Sequence, residues 1–280
     1  MTTTLTITGS TGEVGGRVAR ALSDDGIAPR LVVRDASRAP ELPGADVRVA
    51  EYADHDAAVE ALHGTDVLFM VSAGESADRV EQHRCFIDAA VRANVEHIVY
   101  TSFAAASDDA TFTLGRDHWA TEEILRESGL AFTFLRDSFY LDMFELFAGD
   151  DRVIRGPAAD GRVAAVARAD VARVAVAVLR DAVAHRNITY TLTGPQALTL
   201  EQIAATLTEV RGEPFRYVDE TLAEAHASRA VWGAPDWQVA AWISTYTSIA
   251  SGVLAPVTDD VERITGSAPL TLDQLLRSGA

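Results

Sequence analysis

LTITGSTGEVGGRVARALSDDGIAPRLVVR, residues Leu5 to Arg34, decides the fold. Leu5-Thr6-Ile7-Thr8 is a short strand, Val14 to Leu22 a helix, and Leu31-Val32-Val33 a second strand. Between strand and helix lies Gly9-Ser10-Thr11-Gly12-Glu13-Val14-Gly15, a GxxGxxG spacing. Gly9 and Gly12 permit a tight turn and close approach of backbone to a pyrophosphate, and Gly15 lets helix and strand pack closely. The helix start behind them offers free N–H groups and partial positive charge to an anion. A glycine pattern alone is weak, but strand, turn, helix and strand in this order make it a dinucleotide site.

The end of the second strand selects the nucleotide. An acid there would accept from a ribose 2′-hydroxyl, whereas this chain has Arg34, with Arg38 close behind. Two guanidinium groups suit a 2′-phosphate and predict NADPH; Asp35 points mildly the other way. The competing reading leaves both arginines as solvated surface residues.

Working outward, β-branched runs alternate with amphipathic stretches, the pattern of an α/β, doubly wound parallel sheet of Rossmann type with helices on both faces. Val47-Arg48-Val49, a helix from His55 to Leu62 and the apolar strand Val67 to Val71 follow. Helices over 77–93 and 116–128 lead into strands His97 to Thr101 and Leu130 to Leu135. Ligands in such sheets bind at strand carboxyl ends, here Thr8, Val33, Val71, Thr101 and Leu135. Beyond residue 150 the pattern loosens, with a helix over 170–179, a strand Thr189 to Leu192, and Thr199 with Gln202 at capping-box spacing. We expect an NADP-binding domain over 1–150 and a smaller, mainly substrate-binding cap over 151–280, with segments near 163–194 returning to the sheet.

Composition narrows the function. The net charge of −17 disfavours nucleic acid and anionic membrane surfaces as partners. All 24 basic residues are arginine, so any chemistry that needs lysine is excluded. The single cysteine, Cys85, rules out an intrachain disulfide or a cysteine-rich metal site, and the plain expectation for it is a buried thiol. No apolar run reaches the ~20 residues of a membrane span and no signal peptide is visible, so the cytoplasm is the expected compartment.

The Tyr-x-x-x-Lys pair of tyrosine-dependent short-chain dehydrogenases is missing: Ser102 ends a strand, but the next helix carries Leu114 and His118 at the pair's positions. The chain instead resembles the NmrA-like group of atypical short-chain dehydrogenases, and within it the bacterial NADPH:quinone oxidoreductase type. The resemblance rests on Gly9 to Gly15, Arg34-Asp35, Arg79 with Gln82-His83-Arg84, Tyr100-Thr101-Ser102, Asp117-His118 to Glu122, Leu135 to Tyr140, and Ala167 to Ala172. It implies hydride transfer from NADPH to a flat conjugated acceptor such as a quinone or an aromatic polyketide-like compound. The nicotinamide would meet Ser72, Ala73 and Gly74, then Ser102 and Phe103, then Ser138, Phe139 and Tyr140. His118 would hold the nicotinamide ribose or donate a proton, with Ser102 and Tyr140 as the other catalytic candidates; a structural histidine is the rival reading. Phe103, Phe139, Tyr140 and Trp232 are the candidate substrate contacts, although packing in the core explains aromatic residues equally well. Where the quinone-reducing relatives continue Leu-Arg-Asn-Gly-Trp-Tyr, this chain has Asp137, Ser138 and Phe139, which changes the pocket floor.

Two other functions fit the same residues: a non-catalytic redox sensor that binds the dinucleotide, and an isomerase or epimerase that retains it. The amphipathic helices over 77–93 and 117–128 leave a homodimer open, but covering their own sheet accounts for them as well.

Overall fold

A computed structural model describes residues 3–279. The strands are β1 (Leu5–Thr8), β2 (Arg30–Val33), β3 (Asp46–Val49), β4 (Val67–Met70), β5 (His97–Phe103), β6 (Ala131–Asp137), β7 (Val153–Gly156), β8 (Arg162–Val163), β9 (Ile188–Leu192), β10 (Leu198–Thr199) and β11 (Arg216–Asp219). The helices are α1 (Glu13–Asp24), α2 (His55–Leu62), α3 (Arg79–Arg92), α4 (Thr113–Glu127), α5 (Phe144–Phe147), α6 (Arg168–Arg180), α7 (Leu200–Arg211), α8 (Leu222–Arg229), α9 (Asp236–Ala250), α10 (Asp260–Thr265) and α11 (Leu272–Ser278). The central sheet has seven strands in the order β3-β2-β1-β4-β5-β6-β9, with β1 parallel to both β2 and β4. This is the expected Rossmann arrangement, in which the strand order reverses beside β1. No helix among the described residues is long and apolar enough to cross a membrane.

The chain forms two compact units that interleave in sequence. The first holds residues up to 102, 117–136 and 171–190; the second holds 103–116, 137–170 and the residues from 191 onward. The boundary expected near residue 150 is therefore corrected: the chain leaves the first unit at the ends of β5 and β6, because the segments that follow carry apolar residues of the second core.

In the first unit β4 is buried at every position, as its unbroken apolar run requires. Its core includes Leu68, Met70, Phe86, Ile98, Tyr100 and Phe134. Asp54 caps α2 by accepting from the Ala57 amide at 3.1 Å, which starts the helix at His55 as expected. Cys85, expected to be buried, is half-buried on α3.

The second unit gathers Phe103, Leu141, Phe144, Ile154, Leu200, Ile203, Tyr246 and Leu275 into a separate core. Helices α7, α8 and α11 are started by reciprocal capping boxes at Thr199–Gln202, Thr221–Glu224 and Thr271–Gln274, of which the first is the one read from the sequence.

Candidate cofactor and active site

The turn after β1 admits only glycine at two points. Gly9 has φ +64°, and a Cβ there would lie 2.8 Å from Val71 Cβ. A Cβ on Gly15 would lie 2.4 Å from Gly9 O and 2.8 Å from Thr8 O, so α1 sits directly against the turn. The Gly12 amide closes the turn onto Gly9 O at 3.0 Å. Gly12 then starts α1 in an extended conformation with no side-chain cap, leaving the first-turn N–H groups without that partner. Ser10 Oγ is buried and has no hydrogen-bond partner. Thr11, Gly12 and Glu13 are exposed, and Val14 is buried beneath them. An orphaned hydroxyl beside an uncapped helix start, in a cradle that a Cβ would fill, fits a pyrophosphate.

Arg34 and Arg38 are exposed just past β2. Between them Asp35 caps a 3-10 turn over Ala36–Arg38, accepting from the Ser37 amide at 2.9 Å and the Ser37 hydroxyl at 2.7 Å. These bonds hold its carboxyl below the usual range and turn it into the loop. The acid that argued against a 2′-phosphate is thus occupied, while both guanidinium groups stay in solvent.

The loop after β4, with Ser72, Ala73 and Gly74, is pinned by buried side chains. Ser72 N donates to Thr101 Oγ1 at 2.8 Å and Ala73 N to His83 Nε2 at 2.9 Å. Thr121 gives its only proton to Asp117 O, so at 2.8 Å it accepts from His83 Nδ1, which fixes that ring's tautomer. Burial, then the Arg79 charge, pushes His83 down to about 3, consistent with a neutral ring.

Arg79 donates to Ala73 O at 3.0 Å and to His118 Nε2 at 3.1 Å. A guanidinium has no acceptor, so His118 accepts at Nε2 and carries its proton on Nδ1, 3.0 Å from the hydroxyl of the fully buried Tyr100. Burial first, then the Arg79 charge, holds His118 well below its usual pKa. The expectation that a near-neutral pKa fits His118 for proton donation is corrected: the imidazole is a neutral link between Arg79 and Tyr100.

The expected place of Ser102 at the end of its strand is corrected as well. β5 runs two residues past Thr101, so Ser102 lies within the strand and donates to Glu122 Oε1 at 2.6 Å. Glu122, 0% exposed on α4, also accepts from Arg136 at 2.8 and 2.6 Å and from Arg126 at 2.9 Å. Sequence reasoning missed this network, although Glu122 and Arg126 at i,i+4 spacing and an arginine inside an apolar strand were its available signals.

β6 likewise runs past Leu135 and ends at Asp137. Asp137 is 2% exposed, and Tyr140 donates to its Oδ2 at 2.9 Å. Burial pushes Asp137 up to about 8 against the lowering effect of that bond. Asp137 Oδ1 and Ser138 Oγ are both buried without hydrogen-bond partners. Phe103, Phe112 and Phe139 form a cluster with ring centroids 4.7, 5.0 and 5.1 Å apart, so Phe103 and Phe139 pack in the second core. Trp232, expected to line or fill the cap, is 72% exposed, because a short 3-10 turn ending at Gly233 carries it outward.

The model of the NmrA-like family matches residues 1–228. Quinone oxidoreductase 2 of Escherichia coli is 36% identical over 239 residues, covering 83% of each chain. An NAD(P)H azoreductase of Xenophilus azovorans is 31% identical over 280 residues, covering 98% of this chain and 97% of the relative. The crystal structure of an NADPH-dependent quinone oxidoreductase from Escherichia coli, complexed with NADPH, matches with a TM-score of 0.89 at 31% identity, covering 98% of this chain and 99% of that one.

Proposed function

The chain belongs to the NmrA-like family, and from that premise we propose that it is an NADPH-dependent reductase that passes hydride to a planar conjugated acceptor such as a quinone or an azo compound. The observation that carries this reading is the uncapped start of α1 with the orphaned Ser10 Oγ, together with Arg34 and Arg38 exposed past β2. NADPH, when bound, supplies the hydride. The chain's own residues bind and orient: Ser10 and the amides after Gly12 take the diphosphate, and Arg34 and Arg38 take the 2′-phosphate. His83 and Arg79 hold the Ala73 backbone from both its N–H and its C=O, which makes the β4 loop a rigid platform for the nicotinamide. His118 supports that platform through Arg79, and Thr101 Oγ1 holds the Ser72 N–H. A quinone spreads developing negative charge over its ring, so positioning contributes more than acid catalysis for such acceptors.

Mixing the purified protein with NADPH and a panel of quinones and azo dyes, and following nicotinamide absorbance, tests the reading. Oxidation well above background is expected with at least one acceptor. Cofactor binding without oxidation by any of them would favour the sensor instead. Replacing either Arg34 or Arg38 by alanine should weaken NADPH by roughly 10–100-fold and leave NADH nearly unchanged, since one lost charge-assisted bond is worth ~1.5–3 kcal/mol.

A further inference from the structure

The pairing of β1 with β4 runs from Leu5–Val67 to Ile7–Phe69 and stops there, just before the two strands give way to the glycine turn and to the loop at Ser72. The strand order reverses beside β1, and a dinucleotide lies across the crevice that such a reversal opens. Beyond the last paired residues, a side chain from a third segment takes over the connection. Tyr52, half-buried in the turn between β3 and α2, reaches both strand ends.

The protons can be placed by elimination. Tyr52 Oη lies 2.6 Å from Val71 O, and a carbonyl has no proton, so the phenol donates. Its one proton is then committed, and across the 2.6 Å to Thr8 Oγ1 the threonine is the donor. Thr8 Oγ1 in turn accepts from Val71 N at 2.9 Å. Three hydrogen bonds thus form a closed ring that leaves Val71 at its N–H and returns at its C=O.

Val71 is where the two halves of the crevice meet. Its side chain packs on the glycine turn, where a Cβ at Gly9 would lie 2.8 Å from Val71 Cβ. Its carbonyl shares a peptide plane with Ser72 N, which donates to Thr101 Oγ1 at 2.8 Å, so Tyr52 and Thr101 fix that plane from opposite edges. The Tyr52 ring is itself located, stacked on the buried Phe86 of α3 with centroids 4.2 Å apart and planes at 22°, and edge-on to His83 at 5.9 Å. Burial holds the phenol above its ordinary range, so it keeps the proton that it donates.

Resting on the NADPH placement of the reductase reading, we infer that Tyr52 is a positioning residue for hydride transfer: through Thr8 and Val71 its hydroxyl fixes the nicotinamide loop against the diphosphate turn. The hydroxyl acts without touching the cofactor. The diphosphate turn has bonds of its own, Gly12 N to Gly9 O at 3.0 Å and Gly16 N to Gly12 O at 2.9 Å. The first peptide of the β4 loop has no such internal bond and relies on Tyr52 and Thr101. Loss of the hydroxyl therefore acts on the nicotinamide half and spares the adenosine half.

The test measures Kd for NADPH and for 2′-phospho-ADP-ribose, which keeps the adenosine half and the diphosphate but lacks nicotinamide, together with kcat for NADPH oxidation by menadione. Tyr52→Phe retains the ring on Phe86 and removes only the hydroxyl. It should raise the NADPH Kd roughly 10-fold and lower kcat roughly 10-fold, while the Kd of 2′-phospho-ADP-ribose stays within about twofold. Tyr52→Leu removes the stack as well and should show the same split on a protein of lower Tm. A packing role for the ring alone would leave Tyr52→Phe indistinguishable from the wild type, and that result overturns the inference. So does an equal loss of both ligands in Tyr52→Phe. A wild type that binds NADPH but oxidises none of it with menadione or an azo dye would overturn the reductase reading, while the split in Kd still decides the role of Tyr52.

Discussion

Replacing Asp137 by asparagine should change how folding stability depends on pH, by an amount that one buried carboxyl sets. The folded chain holds this group at about 8, against an ordinary value of 3.8. Because the folded value is raised, the stabilisation is complete below the unfolded pKa and is lost progressively as pH rises towards the folded one. At 1.36 kcal/mol per unit, the full span amounts to ~5–6 kcal/mol and the part falling between pH 5 and 8 to ~3–4 kcal/mol. Urea denaturation of both proteins at several values across that range, with linear extrapolation to water, gives the comparison directly. The asparagine variant should gain on the wild type steadily as pH rises. His83, His97 and His118, all held below their usual pKa by burial, bend both curves alike and cancel in the difference. A difference flat to within ~0.5 kcal/mol across the range would refute the assignment of a neutral acid at this position.

Gly15→Ala should weaken NADPH binding at least tenfold and cost ~1–3 kcal/mol of stability, since the new methyl meets the Gly9 and Thr8 carbonyls and something in the backbone must shift; fluorescence titration and urea denaturation read the two effects. Glu122→Ala should cost ~1–3 kcal/mol, because it leaves the buried Ser102 hydroxyl and the mostly buried Arg136 guanidinium without their acceptor while Arg126 keeps Glu123, and a loss under ~0.5 kcal/mol in urea would disprove the network's weight. His118 should show no imidazole titration by NMR between about pH 5 and 8, and a midpoint near the ordinary ~6.5 would contradict its burial against Arg79.

The first half of the sheet was legible because its signals are local. The glycine turn, the apolar run of β4 and the α2 boundaries follow from residues adjacent in sequence. The ends of β5 and β6 were not, since Ser102 and Asp137 are polar and read as loop; tertiary partners, Glu122 for one and Tyr140 for the other, make them acceptable inside strands. His118 was read with an ordinary pKa because nothing in the sequence places Arg79 against it. The return of a segment within 163–194 to the sheet was read from the sequence, but the exits after β5 and β6 were hidden for a related reason. A break in hydrophobic pattern is visible near residue 150, whereas an exchange of chain between two cores leaves the pattern continuous. Trp232 was misplaced by residue-type habit, since tryptophan is usually buried and here a short turn carries it into solvent.

The order of β6 and β9 has a practical consequence for dissecting the chain. β9 closes the sheet beyond β6, yet it lies near residue 190, after the chain has passed through the second unit. A fragment cut at residue 150 would keep the glycine turn but bare the hydrogen-bonding rim of β6, an invitation to self-association. Such a fragment should precipitate, whereas one that rejoins 171–190 to the first unit through a short flexible linker keeps that rim covered.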